Sequence, residues 1–360
     1  MKRLLVFGLL AAVLGLSARE PSMKVTEKQI DRKGVKLTQK EWKVKFHHSD
    51  MVLKNMIGAD GKLVKKAWGD FFCGLTHGTI SNGSWDIWDF ISAQSMKWKN
   101  IPSAAPVANV AFVRFPDSSS FNMSWADGEI KVLQTSGAKD WVYVKVKMPA
   151  GIRCVTLRLR PGGAHNSIKG RERHIRYNGG DELAEFFKVK TLKWDGKSDG
   201  LAFYNRNYSE KNGNFLVFES EKIAKINHHT ENPVTLQIYP KKGVTEMNFA
   251  LGYFLNANAD EVTKRFLVEQ LPNQRKALDA IEWNKAPDFT EFSKNADQVK
   301  KLIAGLQGAD KAKYEKELAA IQKEYESAKA KNDQIAYAKA LDKLRNLQKT
   351  IGASALDSLM

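Results

Sequence analysis

Cysteine is nearly absent from this chain, which has only Cys73 and Cys154. Two thiols cannot build the disulfide framework of a small secreted scaffold or a four-thiolate zinc site. Acid is in deficit too, with Asp+Glu 40 against Lys+Arg 57 and a formal charge of +17. Nucleophile and phosphate signatures are missing: there is no Gly-x-Ser-x-Gly elbow, no phosphate-binding loop and no His-Glu-x-x-His helix. No RNA-binding sheet signature, zinc finger or basic heptad region appears, which argues against nucleic acid as the partner of the positive charge. After the first 18 residues no run reaches the roughly 20 apolar residues of a membrane-spanning helix.

Apolar and aromatic residues, in contrast, are plentiful. A hydrophobic share of 43% with 9 Trp and 18 Phe in 360 residues excludes a disordered chain and supports about two domains. Lys2 and Arg3 precede an apolar run from Leu4 to Leu16, followed by the small residues Gly15, Ser17 and Ala18. That order is a secretory signal with cleavage before Arg19, so the mature chain is expected to be exported to the periplasm or outside the cell. For an exported chain, a basic surface points to acidic polysaccharide, cell-wall polymer or an anionic membrane surface. The tail from Thr290 holds 13 basic and 10 acidic residues, so most of the surplus lies upstream.

The middle of the chain alternates polar and apolar residues in short runs, the period-2 pattern of half-buried strands. Glu41 to Phe46, Ala108 to Phe115, Trp141 to Lys147, Arg153 to Arg160, Phe215 to Glu219, Val234 to Tyr239 and Glu246 to Leu255 are examples. Asp127-Gly128, Pro161-Gly162-Gly163, Asn178-Gly179-Gly180 and Asn212-Gly213 punctuate them as turns. This predicts a large antiparallel β-sandwich. Near Ala257 the period becomes helical: Asn258 or Asp260 can cap a helix reaching Leu271, where Pro272 intervenes. Val299, Leu302, Ile303 and Leu306 stripe one later helix, ended by Gly308. Tyr314, Leu318, Ile321 and Tyr325 stripe a second, capped by Asp310, and Tyr337, Leu341, Leu344 and Ile351 a third after a break at Asn332-Asp333. A C-terminal helical hairpin or small bundle is therefore expected, with a dimeric coiled coil as its rival. The expected divisions are a signal at 1–18, a basic arm with strands at 19–66, a sandwich at 67–256, a helix and connector at 257–290 and the helical hairpin at 291–360.

Three clusters could carry chemistry. Pro161 to Asp181 is glycine-rich and polar, with His165, Asn166, Lys169, Arg171, Arg173, His174, Arg176 and Tyr177. Arg171, Arg173 and Tyr177 would share one face of a strand, and their guanidinium forks suit carboxylate or sulfate. A solvated basic loop is the plain alternative. The second cluster is aromatic: Trp68, Phe71, Phe72, His77, Trp85, Trp88 and Trp98, with Asp86 and Asp89 interleaved. Indole faces there could stack on sugar rings, although tryptophans also build sandwich cores. The third holds Asn205-Arg206-Asn207-Tyr208, Glu219 and Asn227-His228-His229. Glu219, at the end of an apolar run, could be a general acid or a strand-end ion pair. Adjacent histidines on a strand point to opposite faces, so His228 and His229 do not announce a metal site, and no cofactor is expected. Cys73 and Cys154 could pair after export.

The succession of strands from Trp68 to Phe254, the late helix and the aromatic and histidine decoration resembles the large sandwiches of galactose-mutarotase-like and related carbohydrate-active proteins. That resemblance implies a sandwich directed at sugars. The His and Glu motifs of the sugar epimerases have no counterpart that can be placed in this sequence, so no catalytic residue is carried over. The expectation is a carbohydrate-binding or cell-envelope protein, with Trp85, Trp88, Arg171, Arg173, His174 and Tyr177 as ligand groups. A polysaccharide-processing enzyme would draw on His77, His174, Glu219 and His229. A non-catalytic scaffold would dock a protein partner through its C-terminal helices.

Overall fold

The protein, seen in a computed structural model, is described for residues 19–61, 71–77, 86–89, 109–125, 128–148, 154–159, 172–185, 188–206, 209–230 and 234–357. Its first strands are β1 (Ser22–Arg32), β2 (Val35–Lys45), β3 (Asp50–Ile57), β4 (Phe71–His77) and β5 (Asp86–Asp89). Then come β6 (Asn109–Arg114), β7 (Ser118–Trp125), β8 (Gly128–Thr135), β9 (Trp141–Lys147), β10 (Val155–Leu159), β11 (Arg173–Tyr177) and β12 (Gly180–Leu183). The series ends with β13 (Lys190–Thr191), β14 (Gly200–Asn205), β15 (Ser209–Phe218), β16 (Ile223–Thr230), β17 (Val234–Pro240) and β18 (Glu246–Phe254).

Turn chemistry shapes the hairpins. Lys33 and Gly34 both have positive φ (56° and 79°), the backbone of a two-residue turn whose twist suits the flanking strands. Asp31 supports it by accepting a hydrogen bond from the Gly34 N–H at 2.8 Å. Gly179, at φ 86°, turns β11 back into β12.

The strands pair in the orders β1-β2-β3-β4-β5, β10-β17-β16-β13 and β12-β11-β14-β15-β18-β9-β8-β7-β6. β5 lies alongside β10, so the five- and four-stranded sheets together cover one face of the nine-stranded sheet. Every second residue enters the shared interior. Trp42, Val44, Phe46, Met51 and Leu53 from the first sheet meet Phe121, Val132, Val144, Leu216 and Phe249 from the nine-stranded sheet and Leu157, Leu236 and Ile238 from the third. The large antiparallel sandwich expected from the alternating runs is what forms. Cys154 is a buried free thiol. Burial pushes its pKa up.

The far face of the nine-stranded sheet is covered by helices. α1 (Ala259–Arg265) starts at Asn258, whose side chain accepts from the Asp260 and Glu261 N–H groups. It continues through one wide π turn (Phe266–Gln270) into α2 (Leu271–Asp279). Pro272 therefore does not end the helix: it sits in the first turn of α2, where its missing N–H has no carbonyl to bond. Phe266, Leu271 and Leu278 pack on Tyr143, Ala202, Tyr204, Phe215 and Val217. The tail forms three helices, α3 (Thr290–Ala304), α4 (Gly308–Ala330) and α5 (Gln334–Asp357), around a core that includes Phe292, Val299, Leu318, Tyr325, Leu341 and Leu344. Gly308, read from sequence as the end of a helix, instead opens α4 with φ 64°. α5 lies on β6, and Ala338 packs against Ala111, Val113 and Phe115.

Candidate functional site

Strand β11 places the polar groups. It lies between edge strand β12 and β14. Strand alternation sends Arg173, Ile175 and Tyr177 into the space between the layers, and His174 and Arg176 to the opposite face, beneath α1. Ile175, which belongs to the common core, confirms which face is inward.

The inward side carries a polar seam. Arg173 is 2% exposed, and its Nη1 donates to Thr230 Oγ1 at 2.7 Å, linking the two layers. Asn205 is the direct cross-strand partner of Arg173, and Asn214 that of Phe203, two residues earlier on β14. Such diagonal neighbours on adjacent strands lie about 7–8 Å apart. Asn205 and Asn214 are both 0% exposed, and neither atom of either amide has a hydrogen-bond partner. Nearby, Tyr177 donates to Glu182 Oε1 at 2.8 Å, and Glu182 Oε2 stands 3.5 Å from His228 Nε2. The phenol of Tyr177 is raised to about 12, by burial and by the Glu182 carboxylate. Burial pushes His228 below the usual histidine range against the pull of the Glu182 carboxylate, and its Nδ1 lacks a hydrogen bond.

The outward side is a compact ion-pair network. Asp181 Oδ1 pairs with His174 Nδ1 at 2.7 Å, and Asp181 Oδ2 accepts from the Tyr204 hydroxyl at 2.6 Å and from Arg176 Nε at 3.0 Å. Arg176 then reaches α1, donating to Asp260 Oδ1 at 2.7 Å and to Thr263 Oγ1 at 2.7 Å. The His174 ring stacks on Tyr204 with centroids 5.0 Å apart, and the guanidinium of Arg176 lies 4.8 Å from the same ring. Burial and the Asp181 bond raise the Tyr204 phenol to about 12. His174 Nε2 faces the half-exposed Glu172 carboxylate at 3.4 Å. A histidine held at Nδ1 by a carboxylate is oriented for proton transfer at Nε2.

The remaining sequence candidates scatter. Arg173 and Tyr177 do share a face, but it is the one turned to the core between the sheets, and His174 points the other way, toward α1. Arg171 and Trp85 lie outside the described residues, and so do the side chains of His77 and Trp88, whose backbones sit in β4 and β5. Glu219 is buried at the end of β15 and fully engaged, accepting from the Asn248 N–H at 2.9 Å and Asn248 Nδ2 at 3.1 Å and pairing with Lys222 at 2.8 Å. His229 points away from the interior that holds His228. Among the described residues no group of three or more His, Cys, Asp or Glu side chains is placed to hold a metal ion. Asn205 and His228 stood out in the sequence only as members of a polar cluster and Asn214 did not stand out; the burial of the two amides without partners has no signal in the sequence.

No protein-family model and no curated protein matches the chain. Among solved structures, it is similar to a family GH92 inverting mannosidase from Bacteroides thetaiotaomicron, with 10% identity and a TM-score of 0.31. That match covers 59% of this chain and 28% of the mannosidase chain. An active YidC insertase matches at 13% identity and a TM-score of 0.26, over 77% of this chain and 52% of that one. A protein assigned as an aldose 1-epimerase from Klebsiella pneumoniae matches at 8% identity and a TM-score of 0.25, over 72% of this chain and 96% of the other.

Proposed function

We propose that this chain is an exported carbohydrate-binding protein whose recognition groups are the inward polar seam of Arg173, Asn205, Asn214 and His228. The observation that carries the reading is the pair of fully buried amides without partners, next to a buried guanidinium. Each buried polar group left unbonded costs about 1–3 kcal/mol, so such groups need a reason to be kept. An amide offers both an acceptor and a donor, and a sugar hydroxyl is complementary to both. Arg173 adds fixed donors that suit a carboxylate or sulfate on the sugar. Support for export comes from the basic start at Lys2-Arg3 and the apolar run behind it.

The test is a glycan array probed with the purified protein, followed by calorimetry on the best neutral ligand. Asn214→Leu removes the unbonded amide at nearly constant volume. Affinity should fall at least about tenfold while stability holds or rises by up to about 1 kcal/mol, because an unsatisfied polar group has been lost. Undiminished binding would reject the seam, and an empty array would reject the function. The His174–Asp181 pair favours a second reading, a polysaccharide-processing enzyme using His174 Nε2 as acid or base. Turnover of any polysaccharide that His174→Ala abolishes would establish it.

A further inference from the structure

Part of the positive surplus lies on the sheet formed by β1, β2 and β3. Met23, Val44, Met51 and Leu53 face the common core, so the even residues of β1, the odd ones of β2 and the even ones of β3 look away from it. That outer face carries Lys24 and Lys28, Lys43 and Lys45, and Lys54. All but Lys54 are exposed, and Lys54 is half-exposed. Lys24 lies directly opposite Lys43 in the antiparallel register, with Lys45 two residues further along.

Like charges directly across a strand pair destabilise it. Strands lie about 4.8 Å apart and alternate residues about 7 Å apart, so Lys24, Lys43 and Lys45, with Lys54 diagonal to Lys43, are spaced at about the Debye length of 8 Å at physiological salt, and Lys28 extends the row four residues beyond Lys24. The carboxylates of the same face offset part of this repulsion, and Lys45 stands directly across from Asp50. Glu41 is shared between Lys43 at 3.1 Å and Lys54 at 2.8 Å, and Asp50 is held by Arg19 at 2.7 Å. Lysines on an edge strand guard against edge-to-edge pairing, but that role needs no second row of lysines opposite the first.

Building on the carbohydrate-binding reading, we propose that this outer face is a track for an acidic polysaccharide whose carboxylate or sulfate groups lie over the β1–β3 lysines. A bound polyanion turns the mutual repulsion of the array into attraction, and lysine suits it as a mobile point charge on a long stem.

The experiment compares polygalacturonate, heparin, dextran, single-stranded DNA and phosphatidylglycerol vesicles against the purified protein and Lys24→Glu/Lys28→Glu. Polygalacturonate or heparin affinity should fall at least about tenfold at about 50 mM salt, with a shallower salt dependence. The thermal midpoint should not fall, because the new carboxylate at position 24 faces Lys43, and glutamates protect a strand edge as lysines do. If that variant fails to fold, Lys28→Gln/Lys45→Gln at exposed positions carries the same expectation. Unchanged acidic-polysaccharide affinity would overturn the track, as would tighter binding of DNA or vesicles than of either polysaccharide. Asn214→Leu separates the two proposals: it should leave polygalacturonate on the track, so failure of the seam would not resemble failure of the lysine face.

Discussion

At Asp181 one carboxylate holds three side chains: His174, Arg176 and Tyr204. Burial by itself would raise its pKa, yet these donors bring it down to about 2 from an ordinary 3.8. A depressed folded-state pKa means stability that is fully present above the ordinary value and lost as pH falls toward about 2. With the side chain 25% exposed, the contribution at neutral pH is about 2 kcal/mol. Asp181→Asn should therefore lower urea-unfolding stability by about 2 kcal/mol at pH 7, and the deficit should shrink from about pH 4 to about pH 2. A deficit of equal size at both ends of that range would exclude the ion-pair origin. The sequence marked Arg173, His174, Tyr177 and Asp181 as one polar stretch, but not which face each would take. Tyr204 and Asp260 join Asp181 and Arg176 only because β14 and α1 are folded against β11.

The elements themselves were largely legible. Alternating runs became β6, β9, β10, β17 and β18 near their expected limits, and the helical stripes became α3, α4 and α5. Pro272 misled because its effect depends on whether the previous turn needs its N–H, and the π turn before it removes that need. Close packing between elements was also hidden. Gly213 stands where a Cβ would collide with the Phe203 carbonyl oxygen and the Phe254 ring. Gly213→Ala should cost about 1–3 kcal/mol in thermal or denaturant unfolding, as overpacking does, and a neutral result would mean that β14 and β18 give way there.

At the scale of the whole molecule, the helical tail is bound to the sandwich and is not a free appendage. Ala338 on α5 fills the space over Ala111, Val113 and Phe115, and Glu291 on α3 pairs with both Arg114 of β6 and Arg345 of α5. Ala338→Glu would bury an unpaired charge at this junction, at a cost of about 3 kcal/mol or more. Calorimetry should then show the helices melting before the sandwich, where a single transition is expected of the unaltered protein; a single unsplit transition at the unaltered protein's temperature would show that the junction carries no coupling. The charge surplus is likewise a property of the assembled molecule. Composition placed it upstream of the tail, and the strand register then aligned lysines from β1, β2 and β3 on the face turned away from the common core.

The sequence by itself determined the class of fold, because apolar periodicity of two or of 3.6 residues is a local property that each segment carries alone. It also determined the charge and the near absence of thiols. Only the tertiary structure decided which side of β11 faces the core shared by the sheets, that Asn205 and Asn214 face the interior without partners, and that Lys24 stands across from Lys43. Those facts depend on strand order and register, which arise from contacts between residues far apart in the chain.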